Sequence, residues 1–201
     1  RMAQPLTMPG EFDPLVELYG MWNTGLAERY LPIPRAHAGK YECLGGYLIM
    51  SPYEGPANSF GQLKLGMLLH DPAQRAGFVP YLNVNLRFAP DTWIEPDLAV
   101  LQRAPADDTW VSTSEVLVPV EFVSPSSKRR DRIDKPALCA EAGIPWYLRV
   151  EIDRARRTAY LRLDRLEGGS YREHAAAHDG QRFTIAEPFP VDFNPAELLE
   201  P

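Results

Sequence analysis

The sequence predicts an α/β (α+β) fold with αβββαβ order. A central mixed sheet is flanked by helices, with an N-terminal helix and hairpin ahead of it and a C-terminal antiparallel meander behind. Three observations carry this. Segments whose apolar residues recur at three- and four-residue steps alternate with short runs rich in Val, Leu and aromatics. Those runs succeed one another as helix, three strands, helix, strand. A chain of 201 residues, 45% hydrophobic and 24% charged, also has the length and balance of one domain with its own core. We expect a single domain over 1–201, with a helical lead-in at 1–40, a core at 41–152 and a β meander and tail at 153–201.

Phe12 to Arg29 reads as a helix, with Leu15, Leu18, Tyr19, Trp22 and Leu26 at helical spacing. A hairpin follows, in which Tyr41–Leu44 and Tyr47–Met50 flank Gly45-Gly46, a pair that supplies the positive φ angles of a two-residue turn. Ala57 to about Ala76 reads as a second helix, which Pro72 should break near its end. Three strands come next, at Phe78–Phe88, Ile94–Leu101 and Val116–Val123, bounded by Pro, Asp or Ser. Asp131–Ala142 is a helix closed by Gly143, and Trp146–Ile152 returns as an apolar strand. Thr158–Leu163, Tyr171–Ala175 and Arg182–Ile185 form the meander, separated by Gly168-Gly169 and Asp179-Gly180 turns.

Composition narrows the function classes. The 20 prolines are scattered among loops and strand ends, which speaks for short connections and against a disordered arm. Apolar stretches such as Leu65–Leu69 and Ile144–Val150 fall far short of the ~20 residues of a spanning helix. With no charged-then-apolar signal pattern at the N-terminus, a soluble cytoplasmic protein that does not engage membrane is expected. Cys43 and Cys139 lack metal-site spacing and read as buried free thiols. A net charge of -6 weighs against a non-specific nucleic-acid coat protein while leaving room for a local basic patch.

Two carboxylates stand out. Asp97 follows Pro96 and opens the apolar run Leu98-Ala99-Val100-Leu101. Glu121 sits inside Val118-Pro119-Val120-Glu121-Phe122-Val123, where an unpaired carboxylate is costly to desolvate and must have a partner. A cation shared with Asp97 is one such partner; hard oxygen ligands favour Mg²⁺ or Mn²⁺, and phosphodiester hydrolysis is the matching chemistry. An inert core salt bridge from Glu121 to an Arg or Lys accounts for the residue types equally well.

The ordered set resembles a known family. Pro96-Asp97, Val120 to Ser127, Asp131 with Lys135, and Gly143-Ile144-Pro145-Trp146-Tyr147, together with the upstream Tyr41 to Pro52, are similar to the Uma family of restriction endonucleases in the PD-(D/E)xK superfamily. The resemblance covers roughly Tyr41 to Ile152. It implies a restriction-endonuclease-like core, an intracellular prokaryotic protein, Mg²⁺ or Mn²⁺ as cofactor and DNA as substrate. It also implies that Asp97 and Glu121 are the metal carboxylates and that the backbone carbonyl of Phe122 is a further ligand; Glu42 on the hairpin matches a family Glu and reads either as an additional ligand or as an exposed strand residue.

This chain departs from the pattern twice. The superfamily's catalytic Lys follows two residues after the Glu, on the same strand face, and here that position is Val123. The resemblance supplies Lys135 instead, from the following helix, to stabilise developing charge or orient the attacking water. Pro136 biases Lys135 toward the helix entrance. Asn58 stands where similar proteins carry His; it hydrogen-bonds but does not titrate.

Lys128, Arg129, Arg130 and Arg132, flanking Asp131 directly after the Glu121 strand, are candidate phosphate contacts, although short charge runs are usually solvated faces. His174 and His178 have helical zinc spacing but lie in a strand-and-turn segment, so surface histidines are expected. Trp93, Trp110, Trp146 and Tyr147 would stack bases or, more commonly for aromatics flanking strands, belong to the core. The leading expectation is a metal-dependent DNA endonuclease using Asp97, Glu121 and Lys135, compatible with a homodimer because cutting a duplex usually takes two sites. The second is a catalytically inactive nuclease-fold protein that binds nucleic acid or a protein partner. The third is an unrelated α/β protein in which Glu121 is only a buried ion pair.

Overall fold

The computed structural model describes residues Gly10–Pro201. Along the chain run α1 (Pro14–Glu17), α2 (Thr24–Tyr30), β1 (Lys40–Leu44), β2 (Tyr47–Ser51), α3 (Pro56–Arg75), β3 (Val79–Leu82), β4 (Asn85–Ala89), β5 (Thr92–Ile94) and β6 (Leu98–Leu101). They are followed by β7 (Trp110–Ser112), β8 (Val116–Val123), α4 (Lys135–Glu141), β9 (Trp146–Asp153), β10 (Thr158–Glu167), β11 (Ser170–His178), β12 (Phe183–Ile185) and β13 (Val191–Phe193). The chain divides into two compact units: one holds the residues up to Glu54 with Arg87–Glu95, the other holds Gly55–Leu86 and Pro96–Pro201.

In the first unit, β2, β1, β5 and β4 are neighbours in that order. The Gly45-Gly46 hairpin forms as expected, both glycines at positive φ and Lys40–Leu44 antiparallel to Tyr47–Ser51. The predicted Phe12–Arg29 helix is instead two short helices. Asp13 and Asn23 each cap their own helix by accepting N–H groups, from Leu15 and Leu26, and Gly20 turns the chain between them at φ +75°. Buried Trp22, whose N–H donates to the Gly46 carbonyl, pins the break against the hairpin. Cys43 is buried here; burial, with the Asp91 charge, pushes its thiol up to about 11 despite a backbone hydrogen bond from Gly46 that lowers it.

The second unit carries a six-stranded sheet, ordered β11-β10-β9-β8-β6-β3. Its pairs are antiparallel except β8–β9, which are parallel and joined through α4. Within this sheet the sequence α3-β3-β6-β8-α4-β9 is the expected αβββαβ order, a mixed α+β architecture. Leu65 and Leu69 of α3 pack on Val118, Val120 and Phe122 of β8, Leu148 and Val150 of β9, and Leu161 and Leu163 of β10. Because strand side chains alternate, Glu121, Tyr147, Arg149 and Arg162 belong to the opposite face. Strand β8 is buried at all of its positions, as a strand covered on both faces must be.

Gly61 lets α3 approach this sheet. A Cβ there would lie 2.6 Å from Ile152 Cδ1 and 2.9 Å from Phe122 Cε1. The Ile152 methyl is the flexible end of a side chain, but the Phe122 ring is locked in the core. Gly61→Val is therefore expected to lower stability by about 1–3 kcal/mol, overpacking outweighing the helix propensity gained. Gly61→Ala already meets both contacts, so it should also be destabilising but less than Gly61→Val, and urea denaturation measures both.

Several boundaries differ from expectation for identifiable reasons. Phe78–Phe88 is interrupted at Asn83, which takes φ +51°, and Ile94–Leu101 is interrupted at Pro96, which has no N–H for a ladder. Pro72 does not break α3, which runs on to Arg75. The Asp131 helix opens as a wide π turn over Arg130–Asp134 before α4 begins. The C-terminal meander is longer than predicted, and β13 joins β12. Trp93, Trp110, Trp146 and Tyr147 are all buried, and His174 and His178 are exposed on β11. Both cysteines are buried free thiols, and no described helix is long and apolar enough to cross a membrane.

Candidate active site

The parallel β8–β9 pair and the α4 crossover position the candidate residues. Leu98 of β6 pairs with Val120 of β8, so Asp97 stands beside Glu121 at the next register position, where the β6 ladder has ended. Asp97 takes over from that ladder: the N–H of Phe122 donates to Asp97 Oδ2 at 2.6 Å, deep in the protein. This charge-assisted bond fixes the aspartate against the strand that carries the glutamate. N–H and C=O of one strand residue point to the same side, so the Phe122 carbonyl faces the same edge.

Glu121 is 1% exposed and Lys135 is 4% exposed. Lys135 Nζ donates to Glu121 Oε1 at 2.8 Å and lies 3.2 Å from Asp131 Oδ1. The alignment to Asp131 is poor, and that buried Oδ1 has no hydrogen-bond partner. Lys135 is the first residue of α4 and Pro136 the next, as its sequence position demanded. Yet Lys135 holds helical angles, φ -67° and ψ -43°, against the usual effect of a following proline. The π turn makes this possible. Lys135 N–H reaches back to the Arg130 carbonyl, and in that wide pattern Pro136 would have served Asp131, which it cannot do without an N–H. The Tyr147 hydroxyl donates to the Asp131 carbonyl in its place, at 3.1 Å. Cys139, one turn beyond Lys135, is buried; burial first and then the Glu121 charge push its thiol far up, while Lys135 pulls it down.

Thus Asp97, Glu121, Phe122, Asp131 and Lys135 come together, with Val123 buried and apolar after them. Among the described residues no three His, Cys, Asp or Glu side chains converge on a metal-sized space. Glu42 belongs to the first unit, where it is buried and accepts the Glu95 N–H at 3.0 Å. Asn58 lies half-buried in the first turn of α3. In the basic run, Lys128 and Arg129 are exposed, Arg129 lies 3.7 Å from Asp134, and Arg132 grips Glu151 through two hydrogen bonds. Sequence reasoning passed over Tyr147 as a backbone anchor and Arg149 as a charge in an apolar strand. The second carried the same signal as Glu121: Leu148-Arg149-Val150 encloses a charge between buried neighbours.

The Uma2 family, described as "Putative restriction endonuclease", matches residues 27–198. The chain belongs to this family. Uma2 membership spans both compact units, since the matched residues include β1 through β13. The crystal structure of a putative nuclease belonging to DUF820 from Anabaena variabilis is similar to this Uma2 chain, with a TM-score of 0.55 and 15% identity over 80% of this chain and 88% of that one. That likeness establishes a nuclease-like fold. A search of curated proteins finds no match.

Proposed function

We propose that this Uma2 protein is a Mg²⁺- or Mn²⁺-dependent DNA endonuclease whose site is Asp97, Glu121, the Phe122 carbonyl and Lys135. The observation that carries the reading is the buried Lys135–Glu121 contact of 2.8 Å beside Asp97. It supports Lys135, from α4, as the amine that Val123 does not supply. The donor set fits a hard cation, because it consists of oxygens alone. Asp97 and Glu121 would hold the ion with the Phe122 carbonyl. When bound, it would activate water and neutralise charge on the phosphoryl group.

The protein's own groups do the rest. Lys135 would offer its ammonium to the developing negative charge or to the attacking water. Asp131 keeps the ammonium in place, and Tyr147 keeps the turn that carries Asp131. Exposed Lys128 and Arg129 would meet backbone phosphates without reading sequence.

The same contact also supports a second reading, an inert ion pair in a fold that binds without cutting. Plasmid and single-stranded DNA incubated with Mn²⁺ decide between them. Wild type is expected to nick or cleave, and Asp97→Ala and Glu121→Ala each to lose about a hundredfold or more in rate. Cleavage that survives both substitutions, or wild type that neither cleaves nor binds Mn²⁺ by calorimetry, would remove the nuclease reading.

A further inference from the structure

We infer that the cavity walled by α4, β9, β10 and the start of β11 binds a phosphate group, anchored by Arg149. The cavity is about 670 Å³, and Arg132, Glu141, Arg149, Arg162, Asp164 and Ser170 are on its wall. Arg149 is 15% exposed, its Nε is buried without a hydrogen-bond partner, and it forms an ion pair with Glu151 at 3.5 Å. That carboxylate is already held by the guanidinium of Arg132 through both oxygens. Arg162 stands directly opposite Arg149 in the β9–β10 register, on the same face of the sheet. Its charge is taken by Asp164 at 2.8 Å and Glu173 at 3.3 Å.

Arg149 is therefore a largely buried cation whose partner Glu151 is shared with Arg132, while Asp164 and Glu173 are held by Arg162. Like charges set opposite one another across a strand pair destabilise it, and a buried Nε–H without a hydrogen-bond partner destabilises it further. Both costs disappear when an anion with several acceptor oxygens enters between them. A guanidinium fork matches a phosphate in geometry as well as charge, and Ser170 adds a neutral donor on the wall. Glu141 and Asp164 limit the cavity to one phosphate at Arg149 and oppose a run of them.

The location connects this pocket to the candidate site. Arg149 is the β9 partner of Glu121 in the parallel β8–β9 register, one strand over on the same face. Lys135 of α4 meets Glu121, while Pro136, Ala137 and Ala140 of the same helix border the cavity. A phosphate at Arg149 is, on the nuclease reading on which its identity rests, a group of the substrate strand next to the point of cleavage or the terminal phosphate of a product. A free phosphate would be recognised by the same chemistry.

Calorimetry at low ionic strength, on the full chain, separates these. The probes are inorganic phosphate, a short oligothymidylate with a 5′-phosphate, and the same oligothymidylate without it. Wild type is expected to bind at least one, and Arg149→Gln to weaken that binding by about tenfold or more, with Arg149→Lys between the two. Preference for the 5′-phosphorylated strand identifies a terminal phosphate, equal binding of both strands an internal one, and binding of inorganic phosphate alone a free anion. A readout that needs no variant is the ¹⁵N–¹H resonance of a buried arginine Nε–H, expected to shift on titration with the bound probe. No binding of any probe to wild type, or equal binding to a folded Arg149→Gln, overturns the inference. Phosphate binding by a wild type that cleaves no DNA would sink the nuclease reading and keep the pocket, and cleavage by a wild type that binds no probe would do the reverse, so the two failures give different results.

Discussion

Lys135→Met is expected to lower the stability of the protein by about 3–5 kcal/mol and to abolish any cleavage. The physical reason lies in what the substitution leaves behind. Glu121 and Asp131 are both buried, and Lys135 is the cation whose ammonium lies 2.8 Å from one and 3.2 Å from the other. Methionine fills the volume but leaves two carboxylates facing one another in a low-dielectric interior. Adding Glu121→Gln to Lys135→Met removes one of those charges and should restore part of the loss, whereas independent effects would sum. Urea denaturation of the two single variants and the double variant measures this coupling. A Lys135→Met protein as stable as wild type would show that the buried contact contributes little, and would leave the inert ion-pair reading without its energetic basis.

Phe122→Ala is expected to cost about 3–5 kcal/mol by a different route. The Phe122 ring is 2% exposed and fills the space under Gly61, where α3 comes closest to the sheet. Removing it opens a cavity in the main core. The backbone N–H that donates to Asp97 survives the substitution, so this variant separates core packing from site chemistry. Below its lowered melting temperature it should retain affinity for Mn²⁺ within about an order of magnitude, since the proposed ligands are a backbone carbonyl and two carboxylates. Retained stability would mean that the core can collapse around the gap. Loss of metal affinity at full folding would mean that the ring itself positions Glu121.

The two substitutions act on opposite faces of one strand, and that arrangement explains which parts of the protein were legible in advance. Strand β8 announced itself as an unbroken apolar run, and a carboxylate inside such a run must be partnered whatever the fold. The Gly45-Gly46 hairpin and the turn at Gly168-Gly169 were equally plain, because positive φ is a local property and glycine meets it without strain. The first helix was misjudged for the converse reason. Its apolar spacing was real, but the caps at Asp13 and Asn23 and the contact of Trp22 with the hairpin divide it, and the last of these is not local.

What the sequence by itself determined is therefore the order of elements, the family, and the presence of two carboxylates that demand partners. Apolar periodicity, turn residues and desolvation act over a few residues, and a single strand or helix is enough to express them. Only the tertiary structure decided who the partners are. That Lys135 rather than an arginine meets Glu121 depends on a π turn, which lets a residue before proline stay helical while Tyr147 serves the carbonyl that the proline cannot. That Arg149 lies beside Glu121 and opposite Arg162 depends on the registers of a parallel and an antiparallel pair, and a one-residue slip in either would send its side chain to the other face. Pairing of this kind is set by the packing of the whole sheet against α3 and α4, and no stretch of the chain encodes it alone.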